Sequence, residues 1–146
     1  MIDELFEMQR GQVTISTDRR RLDLDVLLAM LRASHWAGGM TREGLDRAVA
    51  NSLCFGAYDT DGRMVGFARA VTDLATYAYL TDVIVAEASR GRGIGTMLVE
   101  SILAHPDTQG LRRIALFTRD APALYAKFGF GPAKAGSNYM ELRRAL

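Results

Sequence analysis

The run Arg90-Gly91-Arg92-Gly93-Ile94-Gly95 has the residue types and spacing of an anion cradle built from backbone. Glycines let the main chain approach a ligand closely, and the first N–H groups of a helix have no partner inside it. Those N–H groups and the positive end of the helix dipole favour a phosphate. Arg90 and Arg92 set two cations beside them. The chemistry implied is binding of a ligand that carries a pyrophosphate. A P-loop needs Lys and then Ser or Thr after its last glycine, and no Lys follows Gly93 or Gly95. A dinucleotide fingerprint needs Gly-x-Gly-x-x-Gly with an acid about 20 positions on. The spacing here is Gly-x-Gly-x-Gly, past the middle of the chain, so that match is poor. A tight turn without a ligand is the plain alternative for any one such run.

The neighbouring segments are those a cradle needs. Tyr79-Leu80-Thr81-Asp82-Val83-Ile84-Val85 reads as an apolar strand before the loop, and Thr96 to Leu103 as a helix after it. Downstream, Ile114 to Thr118 reads as a buried strand, followed by Arg119-Asp120-Ala121-Pro122-Ala123-Leu124-Tyr125-Ala126-Lys127-Phe128-Gly129-Phe130. Asp120 suits an N-cap, Pro122 a first helical turn and Gly129 the left-handed residue that closes a helix.

These two segments together resemble the GNAT superfamily of acetyltransferases. Arg90-x-x-Gly93-x-Gly95 matches that family's Arg/Gln-x-x-Gly-x-Gly/Ala loop, and Asp82-Val83-Ile84-Val85 resembles the strand before it. Leu124-Tyr125-x-Lys127-Phe128-Gly129-Phe130 resembles the second hallmark, a helix carrying Tyr and ending in Gly-Phe. The resemblance is close over about residues 63–131 and loose outside them. It implies acetyl-CoA as co-substrate, with the N–H groups of Arg90, Gly91, Arg92, Gly93, Ile94, Gly95 and Thr96 on the pyrophosphate. The backbone of Val83, Ile84 and Val85 would face the pantetheine and the thioester. Asp120 and Lys127 would face the coenzyme or serve as a cap and an exposed charge.

Moving an acetyl group from a thioester to an amine needs an anchor, a proton acceptor, an oxyanion donor and a proton for the departing thiolate. Tyr125 matches the family's general acid; a phenol with pKa about 10 stays protonated at neutral pH. Thr81 stands where many members carry a Glu base. Asp82, next to it, is either the base, acting directly or through water, or a structural acid paired with an arginine. Asp73, Glu141 and His35 are further candidates. The resemblance places His35 and Trp36 at the acceptor pocket, where Met40, Tyr77, Tyr79 and Thr81 join them. A lone Trp equally suits a core. The resulting expectation is an N-acetyltransferase acting on a primary amine of a small molecule or a peptide. The alternative is a catalytically silent acyl-CoA-binding sensor or interaction module.

Length and composition agree with one domain over residues 1–146: 146 residues with 49% hydrophobic content can close one core. A net charge of +1 lacks the basic excess of a nucleic-acid surface. No apolar stretch approaches the roughly 18–20 residues of a membrane span. Acids near the N-terminus, a single cysteine (Cys54) and two histidines (His35, His105) without ligand spacing imply a cytoplasmic protein without a metal.

Residues 1–10 read as a tail, flexible or ordered by a partner such as a second copy in a homodimer. Gln12 to Ser16 reads as the first strand, and Asp23 or Asp25 as the cap of a helix through about Ser34. Thr41 caps a second helix to about Ser52. Cys54–Tyr58 and Met64–Val71 flank the turn Asp59-Thr60-Asp61-Gly62 as a hairpin, and Tyr139–Arg143 reads as a final strand. The order β-α-α-β-β-β-α-β-α-β is that of the GNAT fold. The expected architecture is α/β (α+β): a mixed, mostly antiparallel twisted sheet of six to seven strands flanked by about four helices.

Overall fold

A computed structural model of the chain describes residues 4–133 and 138–144. Six strands form one sheet in sequential order: β1 (Glu7–Arg10), β2 (Val13–Ser16), β3 (Leu53–Tyr58), β4 (Met64–Thr72), β5 (Tyr77–Val85) and β6 (Arg113–Leu116). The first five pair antiparallel, and β6 joins β5 in parallel. Four helices complete the fold: α1 (Leu24–Arg32), α2 (Arg42–Ala50), α3 (Ile94–Ala104) and α4 (Pro122–Ala126). This is the mixed sheet with four helices that the sequence implied.

Local chemistry sets the helix starts. The Asp23 carboxylate accepts from the Val26 N–H at 3.1 Å, and the Thr41 hydroxyl accepts from the Gly44 N–H at 3.0 Å. Leu27 and Leu31 in α1, and Leu45 and Val49 in α2, lie four apart and are buried on one sheet face with Cys54, Tyr58, Phe67 and Ile84. Helix α3 covers the other face, burying Ile94, Met97, Leu98 and Ile102 against Ile15, Phe55, Ala68 and Leu80. The β3–β4 turn closes through Gly62, at φ 80°, whose N–H donates to the Asp59 carbonyl at 2.9 Å.

One glycine is fixed by packing. A Cβ at Gly56 would lie 2.6 Å from Cζ of Tyr58, a ring with no exposed surface. Gly56→Ala is therefore expected to cost about 1–3 kcal/mol by overpacking. At about 2–4 °C per kcal/mol for a domain of this size, melting should fall by at least about 2 °C. Circular dichroism melting reads this, and an unshifted midpoint would show that Tyr58 has room to move.

Three expectations are corrected. Residues 7–10 are not a tail: they are β1, and Thr17 donates its N–H to the Phe6 carbonyl at 3.0 Å while accepting from the Phe6 N–H at 2.8 Å. The Phe6 ring also packs at 5.4 Å on the fully buried His105, so the preceding segment has its own core contact. Tyr139–Arg143 is not a strand. Tyr139 and Arg143 each hydrogen-bond the Glu141 side chain two residues away, the segment is in no ladder, and β6 pairs with β5 alone among the described residues. Asp120 is not the cap of α4. No side chain among the described residues caps the helix, which starts from Ala121; the Asp120 carboxylate accepts from Arg119, and the Thr118 hydroxyl accepts the Ala121 N–H at 3.0 Å in the loop before it.

Candidate active site

Strand β5 makes its last pairing with β6 at Leu80 and Leu116, then runs on through Thr81 to Val85 with no strand on that side among the described residues. The sheet opens there into a cleft. Its inner strand leads directly into Glu87–Ser89, a single 3-10 turn, and then into the glycine loop and α3. Across the opening, β6 gives way at Phe117, 81% exposed, and the chain turns into α4. The topology thus brings the loop, the end of β5 and Tyr125 to one end of the sheet.

The loop has the form of a cradle. Gly91 and Gly93 sit at φ 80° and 79°, and a Cβ at either would meet no atom within 4 Å. Gly93 caps α3 without a side-chain hydrogen bond, and the first intrahelical donor is Met97, to the Gly93 carbonyl at 3.0 Å. The N–H groups of Ile94, Gly95 and Thr96 therefore lack intrahelical acceptors. Such open, left-handed glycines before an uncapped helix fit a diphosphate held by amides. The arginine side chains are tied elsewhere. Arg90 donates through Nε to the Val85 carbonyl at 3.2 Å, and Arg92 pairs with Asp59 at 3.3 Å.

Gly95 marks where α3, β5 and α4 meet, its Cβ position lying 3.8 Å from Leu124 and 3.9 Å from Val85. The next residue on α4, Tyr125, is 9% exposed and stands edge-on to Phe130 at 6.0 Å. Burial raises its phenol above the usual range, so it stays protonated at neutral pH. No hydrogen bond ties its hydroxyl to another described residue. Lys127 is exposed at the C-terminal end of α4.

Asp82 lies where β5 bulges. Pairing jumps from Phe67 opposite Ile84 to Arg69 opposite Thr81, so Ala68 faces two residues, Asp82 and Val83. Asp82 takes φ 53°, a conformation costing roughly 1–2 kcal/mol for an L-residue. Its side chain is 3% exposed, and both oxygens are engaged. Oδ2 accepts from Arg69 Nε at 2.6 Å, and Oδ1 from Trp36 Nε1 at 2.9 Å. Arg69 also donates to the Ser52 hydroxyl at 3.0 Å.

Trp36, 46% exposed, stands edge-on to His35 at 5.0 Å, and His35 Nε2 lies 3.3 Å from Asp120. Tyr79 and Thr81 are half-buried on the β5 face that they share with Tyr77. The other acids are occupied. Asp73 accepts from the N–H groups of Ala75 and Thr76 and from the Thr76 hydroxyl, which hold its carboxyl far below the usual range. Glu141 pairs with Arg143 and Tyr139.

Arg69 and Ser52 were not foreseen. The signal was a lone cation inside the apolar run Met64–Val71, because a buried charge needs a partner.

The sequence profile of the "Acetyltransferase (GNAT) family" matches residues 24–130. A protein from Gibberella zeae assigned by name as an acetyltransferase is 31% identical over 140 residues, covering 81% of this chain and 78% of its own. A crystal structure from Xanthomonas campestris, assigned to the GNAT acetyltransferases, superimposes with TM-score 0.88 at 42% identity, over 93% of this chain and 96% of that one. At 16% identity the fold is shared, with TM-score 0.63, by a Clostridium acetobutylicum protein solved with acetyl-CoA, over 84% and 92% of the two chains. The profile spans the cleft, the glycine loop and the Tyr125 helix together, and the chain belongs to the GNAT acetyltransferase family.

Proposed function

We propose that this chain transfers an acetyl group from acetyl-CoA to a primary amine of a small molecule or peptide. The observation that carries the reading is the cradle: two left-handed glycines open to solvent, an α3 without a side-chain cap, and the end of β5 from Thr81 to Val85 with no strand on its β6 side among the described residues. Bound acetyl-CoA would supply the activated acyl carbon. The N–H groups from Gly91 to Thr96 hold the diphosphate, the Arg90 N–H being bound to the Glu87 carbonyl. The β5 backbone from Val83 to Val85, unpaired on its β6 side, holds the pantetheine arm and the thioester oxygen. The amine nitrogen first forms the new C–N bond by direct attack, placing negative charge on the acyl oxygen; the C–S bond then breaks, and the proton of the amine passes to water. Tyr125, protonated and without a hydrogen-bond partner among the described residues, donates a hydrogen bond to the departing sulfur as charge develops there, and the thiolate takes its proton from solvent. The buried thiol of Cys54 suits a reducing, cytoplasmic setting.

Thermal melting with acetyl-CoA, CoA, NAD and ATP, followed by thiol release over a panel of amines, tests the reading. Stabilisation by the CoA species alone, with thiol release that depends on an amine, is expected. Stabilisation without any thiol release would point to a silent CoA-binding module. No response to CoA would overturn both.

A further inference from the structure

Six side chains are joined by successive contacts beside the end of β5: Ser52, Arg69, Asp82, Trp36, His35 and Asp120. They join the β4–β5 bulge to the loop after α1 and to the start of the α4 segment. The acid at their centre has 3% of its side chain exposed and gives one oxygen to a guanidinium and the other to an indole. An incoming ammonium could not reach that carboxylate without displacing Trp36 or Arg69. What the carboxylate does hold is Trp36, whose ring is 46% exposed although its N–H is fixed.

We infer that Asp82 is a positioning residue that anchors Trp36 as an aromatic wall of the acceptor pocket, and that the preferred acceptors carry an apolar or aromatic body beside the amine. The left-handed backbone at Asp82 fits this role. The bulge sends the carboxylate toward Trp36 and Arg69, where a regular strand would hold it in the ladder's alternation. With its N–H committed, the indole offers a ligand only ring surface, and exposed Phe117 stands where β6 leaves the sheet. The nearby acids carry no spare charge for a polycation: Asp82 is paired with Arg69, and Asp120 lies against Arg119 and His35. This inference rests on the acetyl-transfer reading for its substrate class, but not for the Asp82–Trp36 contact.

The experiment has two arms. Trp36 is the only tryptophan, so acrylamide quenching of intrinsic fluorescence reads its anchoring without any ligand. Asp82→Gly accepts the φ of the site and removes the carboxylate. Asp82→Asn also tolerates that φ but keeps a single acceptor oxygen, which the indole and Arg69 must share. Quenching should rise at least about twofold in Asp82→Gly and by a smaller factor in Asp82→Asn, which loses one of the two acceptors. Equal quenching in wild type and Asp82→Gly would overturn the anchoring.

The second arm measures thiol release at saturating acetyl-CoA with phenethylamine and with spermidine. Wild type should favour phenethylamine, and Trp36→Phe and Trp36→Ala, which leave the ion pair intact, should raise its KM about three- and tenfold. Asp82→Asn should act mainly through the same KM. A kcat loss of about a hundredfold or more in Asp82→Asn with KM unchanged would make Asp82 the base and overturn the inference. So would a preference for spermidine, or an amine KM indifferent to Trp36. If no amine is acetylated, the acetyl-transfer reading fails while quenching still decides the contact.

Discussion

Gly93→Asp is expected to weaken coenzyme A binding by at least about a hundredfold while leaving the free protein folded. Both halves follow from the same geometry. A Cβ at Gly93 meets nothing within 4 Å, so the folded chain has room for a larger side chain. The left-handed φ of 79° costs an L-residue about 1–2 kcal/mol, and Asp is among the residues that tolerate this region. The ligand, by contrast, would meet a carboxylate at the mouth of the cradle. Two unit charges 4 Å apart at an effective dielectric of about 20 repel by about 4 kcal/mol, more than the roughly 2.7 kcal/mol of a hundredfold change. Gly93→Asn supplies nearly the same bulk without the charge and should lose only about tenfold. The gap between the two variants should narrow as salt is raised, because screening acts on the charge alone. Titration calorimetry with CoA at two ionic strengths reads all of this. Wild-type affinity in Gly93→Asp would remove the loop from the binding site.

The features that were legible in the sequence are those written in adjacent residues. Asp23 and Thr41 sit just ahead of apolar residues at four-residue spacing, and each caps its helix through its own side chain. The glycine run before Ile94 marks a backbone that must come close to a ligand, and Gly91 and Gly93 are left-handed there; Gly129, read as the left-handed residue that closes a helix, is left-handed too. The errors arise where structure depends on a distant partner. Glu7 to Arg10 has no apolar stripe to announce it, because an edge strand buries little; its pairing with Val13–Ser16 defines it. Tyr139 to Arg143 alternates as a strand should, yet alternation specifies a face and never supplies the neighbour that makes a ladder.

The same division governs the site. The cradle is contiguous and could be read directly. The contacts of Asp82 with Arg69 and Trp36 span 13 and 46 residues and emerge only when the sheet and the α1 loop come together. Asp120 suggests a cap because it stands close to Pro122 and is a strong capping type, yet α4 starts from Ala121 with no side-chain cap, and Thr118 ties only the loop before it.

Tyr125→Phe is expected to lower kcat by roughly ten- to a hundredfold with little change in the KM for acetyl-CoA and almost none in stability. Stability should hold because the ring is what packs, edge-on to Phe130, whereas the hydroxyl has no hydrogen-bond partner to lose among the described residues. The size of the rate effect follows from the proton affinities. Burial holds the phenol above its usual value of about 10, and a leaving thiolate has a pKa near 8.5, so complete transfer before the C–S bond breaks would run uphill. The hydroxyl therefore assists by hydrogen bonding as charge develops on sulfur, which puts its worth at or below the low end of the hundred- to ten-thousandfold range for general acids. The sign of the pH effect also follows. The acid form of a group whose pKa is raised persists through neutral pH, so wild-type kcat should fall only above about pH 10, and Tyr125→Phe should lack that fall. Steady-state rates from pH 7 to 10.5, with circular dichroism confirming that both proteins remain folded, make the comparison. A variant turning over at the wild-type rate would show that the thiolate departs unaided and that Tyr125 serves only the packing of α4.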